Sequence, residues 1–276
     1  MNAQSAAAAK TAATSLILPR EDVASVAILT LNRPHALNSL SEAMLEALGD
    51  ALTAIAHDDS VRVVVLAANG PAFSAGHDLK ELYQHRPDED GGRAYFKHIM
   101  TMCNTMMQQI VRLPQPVIAA VQATATAAGC QLVATCDLAV AARTAKFATS
   151  GINVGLFCST PMVALSRNVG HKPAMEMLVT GDMISAEHAE RIGLVNRVVA
   201  PGTEREEALR LAQKITEKSA SAIRLGKEAF YRQLEMPLAE AYDYTADVMV
   251  ENLLTRDANE GIGAFIEKRK PKWEDR

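Results

Sequence analysis

Apolar runs alternate with amphipathic segments over the first two hundred residues. Residues 61–68 are apolar almost throughout, which is typical of a strand buried on both faces of a parallel sheet. A helical pattern begins after Ser41, with apolar residues recurring three and four positions apart up to Ile55. Further apolar runs occupy residues 26–31, 117–121 and 138–142. Strands that alternate with helices in this way predict a wound α/β core.

The pattern changes after Pro201-Gly202, where charged amphipathic segments follow one another without a convincing strand. The spacing predicts four helices, over residues 203–218, 221–234, 237–254 and 257–268. We therefore expect a core over residues 21–200 and a helical C-terminal domain over residues 201–276.

Residues 1–20 are rich in Ala, Ser and Thr and contain no acidic residue. Such a segment buries too little apolar surface to offset its ordering entropy, so we expect a flexible N-terminal extension. With such an extension and no targeting role, the protein is expected to be cytoplasmic. The alternative is a transit peptide, which would place the protein in the mitochondrial matrix.

Two turns of small residues lie between a predicted strand and a predicted helix. One contains Ala75-Gly76-His77-Asp78, and the other contains Ala127-Ala128-Gly129. Backbone N–H groups at such junctions are free to bind a ligand, and the second turn also lies at the positive end of a helix dipole. Two converging donors of this kind form an oxyanion hole, which polarises a carbonyl oxygen.

Charge and cysteine content exclude several classes of function. The chain has 28 Lys and Arg against 32 Asp and Glu, so it has no basic excess with which to bind nucleic acid. Its apolar runs are too short, or too rich in Ala and Thr, to span a bilayer. The four cysteines are scattered without a CxxC spacing, which favours reduced thiols in a reducing compartment and gives no indication of a metal site.

Several motifs resemble those of the enoyl-CoA hydratase/isomerase (crotonase) superfamily, in the same order from about residue 21 to residue 276. They are Leu31-Asn32-Arg33-Pro34 with Ala36-Leu37-Asn38, Phe73-Ser74-Ala75-Gly76-His77-Asp78-Leu79, Ala128-Gly129-Cys130-Gln131, Cys136-Asp137-Leu138 and Ala264-Phe265-Ile266-Glu267-Lys268-Arg269-Lys270-Pro271. The resemblance implies a ββα spiral core, with a C-terminal helical domain that assembles homotrimers or homohexamers. It also implies that the N–H groups of His77 and Ala128 hold the oxygen of an acyl-CoA thioester.

In this family coenzyme A arrives as part of the substrate, and no permanently bound cofactor or metal is expected. The adenine pocket would use the backbone around Ala36, Leu37, Ala75 and Asp78. Lys80 and, from a neighbouring subunit, Lys268 would face the phosphates, although each is otherwise an ordinary solvated lysine. By the same resemblance, substrate contacts are expected from Leu79, Gly129, Gly151 and Phe265.

Two departures from the family pattern affect the chemistry. Hydratases of the family carry glutamates where this chain has Gln131 and Gly151, and neither residue can exchange a proton. We therefore expect hydration to be slow or absent.

Three alternatives to hydration remain: decarboxylation of a malonyl-type acyl-CoA, thioester hydrolysis, or acyl-CoA binding without catalysis. The first is suggested by methylmalonyl-CoA decarboxylases, which also have a histidine at the position of His77 and carry a tyrosine at that of Cys158. The His77 side chain either takes part or faces solvent or the CoA diphosphate. Cys158 is either a nucleophile or a packed thiol.

Overall fold

The computed structural model describes Thr14 and residues 16–275. Its larger sheet has six strands, in the order β1-β2-β3-β5-β7-β10, and only the β1–β2 pair is antiparallel. These strands are β1 Arg20–Val23, β2 Val26–Leu31, β3 Val63–Ala68, β5 Val117–Val121, β7 Leu138–Ala142 and β10 Arg197–Val199. A smaller sheet contains β4 Ala72–Ser74, β6 Thr124–Thr126, β8 Lys146–Ala148 and β9 Ile184–Ser185, in that order.

Seven α-helices accompany these strands among the described residues: α1 Glu42–Ala56, α2 Leu79–Gln84, α3 Arg93–Arg112, α4 Ala128–Thr135, α5 Pro161–Asn168, α6 His171–Thr180 and α7 Ala186–Arg191. Two short 3₁₀ helices cover Pro34–Ala36 and Ser150–Val154. Four more follow the last strand: α8 Glu204–Thr216, α9 Ala220–Gln233, α10 Leu238–Leu253 and α11 Arg256–Ile266. The four C-terminal helices predicted from the sequence are confirmed to within two residues at each end. Within the described ranges, no helix is both long and apolar enough to cross a membrane.

The central position of β3 explains its apolar sequence. It lies between β2 and β5, and successive side chains point to opposite faces of the sheet. Val64 and Leu66 join the main core, whereas Val63 and Val65 pack in a second core that includes Ala208 of α8. A strand covered on both faces needs apolar residues at every position.

The chain before Glu21 runs alongside β2. The N–H of Thr30 donates to the carbonyl of Pro19 at 3.1 Å, and that of Asn32 donates to the carbonyl of Ile17 at 2.8 Å. The rest of the extension expected from the sequence, residues 1–13 and 15, lies outside the described residues.

A buried polar cluster joins the C-terminal helices to the core. Lys227 of α9 donates to the Asp137 carboxylate at 2.7 Å and to the carbonyls of Ile110 and Gln115, each at 3.0 Å. The hydroxyl of Tyr231 donates to the other Asp137 oxygen at 2.9 Å. Burial lowers the pKa of Lys227, and the Asp137 carboxylate opposes this shift. Every charge in this cluster therefore has a partner within the protein.

Candidate active site

Three segments of the chain converge at one edge of the smaller sheet. Strands β4, β6 and β8 are parallel, with Ser74 opposite Ala125 and Thr126 opposite Ala148. Their carboxyl ends therefore meet, and this is the edge where α/β proteins bind ligands. Residues 75–78, 127–131 and 149–151 follow these ends, so the two small-residue turns come together as the oxyanion-hole hypothesis requires.

The two turns are packed so closely that glycine is needed in each. Gly76 has φ +91°, and a Cβ there would lie 2.9 Å from the Cβ of Ala127 and 3.0 Å from the backbone nitrogen of Ala128. A Cβ on Gly129 would lie only 2.2 Å from the carbonyl oxygen of Ser74. The peptide that leads into His77 is thereby held against the start of α4.

An unusual backbone conformation at Ala127 sets the direction of the next N–H. This residue has φ 50° and ψ −121°, which is costly for a residue with a Cβ. Its N–H donates to the carbonyl of Ala148 at 2.9 Å, and its own carbonyl accepts from the Gln131 N–H at 3.0 Å. These two bonds hold Ala127 in place, and Ala128 becomes the first residue of α4.

The N–H groups of His77 and Ala128 are both available to a ligand. An N–H in the first turn of a helix has no partner within that helix. Among the backbone hydrogen bonds that the described residues form outside helices and strands, neither of these two groups acts as a donor. The His77 loop is fixed instead through the Leu40 N–H, which donates to the Gly76 carbonyl at 2.7 Å.

Polar side chains at this edge are buried without a protein partner. Both ring nitrogens of His77, Oε1 of Gln131 and Oγ1 of Thr149 make no hydrogen bond in the described part of the protein. Burial lowers the pKa of His77, opposed by the nearby Leu40 backbone, so the imidazole is neutral at neutral pH. Thr149 was not among the residues predicted from the sequence, because nothing in its neighbourhood marks a lone threonine as functional.

Comparisons with known proteins identify a family of related sequences and structures. The sequence model of the enoyl-CoA hydratase/isomerase family matches residues 21–276. Human enoyl-CoA hydratase domain-containing protein 3, mitochondrial, is 48% identical over 245 residues, which are 89% of this chain and 79% of the human protein. The crystal structure of an enoyl-CoA hydratase from Mycobacterium smegmatis superposes with a TM-score of 0.89 at 54% identity and covers 93% of this chain and 98% of that one. Mitochondrial enoyl-CoA hydratase of Pongo abelii is 35% identical over 251 residues, 91% of this chain and 84% of that protein.

The chain belongs to the enoyl-CoA hydratase/isomerase family. These matches confirm the fold expected from the sequence motifs, an α/β protein of the crotonase type.

In this member of the family, the position of Gly151 has no room for a side chain. Its φ is not in the positive region, but a Cβ would lie 2.6 Å from the carbonyl oxygen of Leu156 and 2.9 Å from Sγ of Cys158. Any larger residue here requires the segment around Leu156 to move.

The Cys158 thiol is part of the same packing. Its sulfur accepts a hydrogen bond from the Gly151 N–H at 3.3 Å, and burial raises its pKa. A protonated thiol is a weak nucleophile. The contact favours the packed-thiol interpretation over a nucleophilic role.

Several of the expected CoA-binding positions lie together beside the oxyanion turns. Ala36 ends a 3₁₀ turn, Leu37 follows it with φ 51°, and the Leu37 carbonyl accepts from the Ala75 N–H at 3.0 Å. Leu79 and Lys80 open α2 and are exposed.

The Asp78 carboxylate is fully engaged by neighbouring groups of the protein. It accepts from the Lys80 N–H at 3.2 Å and the Ser39 hydroxyl at 2.8 Å, and it pairs with Arg33 at 3.4 Å. Burial alone would raise its pKa, but hydrogen bonds from Ser39 and the backbone N–H groups of Glu81 and Lys80 hold it below the usual value. Asp78 therefore caps α2 as a carboxylate and is a poor candidate for a general base.

Phe265 and Lys268 are not brought to this site by their own chain. Helix α11 packs against α9 and α10, and Phe265 is 85% exposed. Lys268, with φ 55°, follows the end of that helix. A role for either residue at the site requires a neighbouring subunit, as the family resemblance implies.

Proposed function

We propose that this protein binds acyl-CoA thioesters and stabilises an enolate with the N–H groups of His77 and Ala128. The observation that carries the proposal is the close packing of the Gly76 turn against the Ala128 nitrogen, with both N–H groups free of protein acceptors. Removal of a proton or a carboxylate from the carbon alpha to the thioester places negative charge on the thioester oxygen. Each preorganised donor in such a site is worth about 3–4 kcal/mol.

Hydration is expected to be inefficient, because the site offers no obvious carboxylate to move the proton. The Gln131 amide cannot exchange a proton, the Gly151 position has no side chain, and Asp78 is engaged by Ser39, Arg33 and the start of α2. A general acid or base typically contributes a factor of about 10² to 10⁴.

Decarboxylation of a malonyl-type thioester is a second candidate. It is favoured by the neutral character of His77, Gln131 and Thr149, since this reaction needs no base to remove a proton. The bond to the carboxylate breaks, its electron pair forms the enolate and CO2 leaves. The α-carbon then takes a proton from solvent. Hydrolysis through Cys158 is disfavoured by the raised pKa of its thiol.

Mass spectrometry of CoA esters tests these alternatives in one experiment. The purified protein is incubated separately with crotonyl-, malonyl-, methylmalonyl- and longer acyl-CoA esters. Loss of CO2 from a malonyl ester supports the decarboxylase, gain of water on crotonyl-CoA supports a hydratase, and release of free CoA supports a hydrolase. No change in any ester, combined with tight binding, would identify a binder without catalysis.

We also propose that the C-terminal helices mediate self-assembly. Large apolar side chains are exposed on these helices or directly at their ends, which is typical of an interaction surface: Phe230, Leu238, Leu254, Phe265 and Ile266. A homotrimer or homohexamer would cover them and would supply Lys268 to a neighbouring site. Sedimentation velocity should give three or six times the 29.7 kDa of one chain, and a 29.7 kDa species would contradict this proposal.

The names of two relatives favour location in the mitochondrion over the cytoplasmic location expected from the sequence. The human and Pongo abelii proteins are both described as mitochondrial. Fusing residues 1–20 to a fluorescent protein tests whether they direct import into the mitochondrial matrix.

A further inference from the structure

Asn38 is a buried amide in the turn of residues 33–40, which precedes α1, and it is 0% exposed. Its Nδ2 donates to the carbonyls of Asn69 and Ala72, each at 2.8 Å, and its Oδ1 accepts from the Arg33 N–H at 2.7 Å. These partners fix the amide in one orientation, because the reversed amide would place its oxygen against two carbonyl oxygens. The side chain therefore ties the 33–40 turn to the segment that leads through β4 to the Gly76 turn.

The backbone of the 33–40 turn has an uncommon conformation. Leu37 and Asn38 both have φ 51°, in the left-handed region. Few residues other than glycine adopt this region readily, and asparagine is one of them. The Asn38 N–H donates to the Arg33 carbonyl at 3.0 Å, so Asn38 binds both backbone groups of Arg33. Asparagine at this position thus supports the shape of the turn as well as its attachment.

Two backbone hydrogen bonds connect the 33–40 turn to the first oxyanion donor. The Leu37 carbonyl accepts from the Ala75 N–H at 3.0 Å, and the Leu40 N–H donates to the Gly76 carbonyl at 2.7 Å. The Gly76 carbonyl and the His77 N–H belong to one trans peptide group, so they point in opposite directions. The Leu40 N–H therefore sets the direction of the His77 N–H.

The direction of an N–H donor matters as much as its presence. A hydrogen bond weakens steeply as the angle at the hydrogen departs from linear. Displacement of a catalytic group by about 1 Å, even from a change far from the chemistry, can lower the rate by about 10²-fold. Movement of Leu40 would turn the Gly76 peptide and with it the His77 N–H.

We propose that Asn38 is a positioning residue for the oxyanion hole. By holding the 33–40 turn, it orients the His77 N–H towards the thioester oxygen through the Leu40 N–H and the Gly76 carbonyl. The inference rests on the proposed function, because the direction of the His77 N–H matters only if that group binds the substrate. Folded variants of Asn38 should then bind a thioester but polarise it less.

Infrared spectroscopy of bound butyryl-CoA with ¹³C at the thioester carbonyl tests this role in Asn38→Gly. Glycine adopts the left-handed conformation readily, so this variant removes the side-chain hydrogen bonds with little strain on the turn. The ester is added to saturation, so that a change in affinity does not affect the spectrum. The shift of the carbonyl stretch on binding should fall to about half of its wild-type value, because one of two donors is misdirected.

The matched control is Gln115→Ala. Gln115 is also a buried amide, 8% exposed, and its Nε2 donates to the carbonyl of Ile55 at 3.0 Å, near the end of α1 that is farther from the 33–40 turn. Its loss should lower stability but leave the carbonyl shift at the wild-type value. An equal fall in both variants would indicate a general loosening of the protein and would contradict a specific role for Asn38.

Hydrogen–deuterium exchange of the wild-type protein adds a measurement that does not depend on the folding of a variant. Leu40 is 1% exposed and its N–H is bonded to Gly76, so this amide should exchange slowly without any ligand. Fast exchange at Leu40 would overturn the inference, because a mobile turn cannot orient the His77 N–H.

Two outcomes of the infrared experiment separate the inference from the proposed function. A wild-type shift that Asn38→Gly retains in full would overturn the positioning role and leave the oxyanion hole standing. Absence of a shift in butyryl-CoA bound to the wild-type protein would overturn both.

Discussion

Two groups of buried polar residues in this protein are built in opposite ways. In the cluster around Asp137, the Lys227 ammonium and the Tyr231 hydroxyl both reach the carboxylate, and the other Lys227 contacts are backbone carbonyls. At the edge of the smaller sheet, polar side-chain atoms of His77, Gln131 and Thr149 are buried and make no hydrogen bond within the described part of the chain.

The difference separates a structural role from a functional one. A fully paired cluster holds α9 against the core, and nothing in it is left for a ligand. A set of buried polar atoms without partners costs stability, and this cost supports the proposed binding site. Changes to the first group should therefore affect folding, and changes to the second should affect binding and chemistry.

The largest effect on stability is expected for Lys227→Met. The change leaves the Asp137 carboxylate buried without its cation, and breaking a buried ion pair in this way typically costs about 3–5 kcal/mol. Urea unfolding measures the loss, with the exposed Lys97→Met as the matched control, for which a change within about 0.5 kcal/mol is expected. Equal stability of the two variants would mean that the polar cluster does not stabilise the packing of α9 against the core.

Ala128→Pro should mainly reduce activity and should affect folding less than Lys227→Met does. Proline removes the N–H at the first position of α4, where it is generally tolerated, although the Ala127 conformation adds strain. The loss of one oxyanion donor should lower turnover of any active ester by about 10² to 10³. The control is His171→Pro, which removes an N–H from the exposed first position of α6. A folded Ala128→Pro protein with full turnover would show that this N–H is not a donor to the substrate.

Gly151→Glu should destabilise the protein without creating a hydratase. The new Cβ would be 2.6 Å from the Leu156 carbonyl oxygen, and overpacking of this kind costs about 1–3 kcal/mol. Gln131→Glu combined with Gly151→Glu should therefore hydrate crotonyl-CoA no faster than the wild type. A stable double variant that does gain hydratase activity would show that the segment around Leu156 adapts and that only the two carboxylates were missing.

The smallest effect concerns pH. Because burial lowers the pKa of His77, the unfolded chain binds this proton more readily than the folded protein does. Stability should therefore decrease as the pH falls below about 6.5, the usual value for histidine. His77→Gln should remove part of this dependence, whereas the exposed His35→Gln should retain all of it. Identical pH profiles for wild type and His77→Gln would show that the imidazole is not buried as described.

Much of the fold could be predicted because its elements have strong local patterns. Ser41 was expected to start a helix, and its hydroxyl does accept the Met44 N–H at 3.3 Å. Helix α3 was not predicted, although Cys103, Met107 and Ile110 are buried at helical spacing, because polar residues and methionines obscure the pattern.

The site was predictable only where glycine marks a close approach of the backbone. Gly76 and Gly129 indicated the two turns, and the structure shows the contacts that require them. Thr149 belongs to no recognisable motif, and the lack of room at Gly151 comes from the way the following loop, with Leu156 and Cys158, folds back onto it. Neither leaves a local signal in the sequence.

Infrared spectroscopy of a labelled thioester tests the central claim most directly. Butyryl-CoA carrying ¹³C at the thioester carbonyl reports how strongly that bond is polarised when it binds. Two N–H donors should shift the carbonyl stretch to lower frequency in the wild-type protein, and the shift should be smaller in Ala128→Pro. An unchanged carbonyl frequency in bound butyryl-CoA would contradict an oxyanion hole at His77 and Ala128.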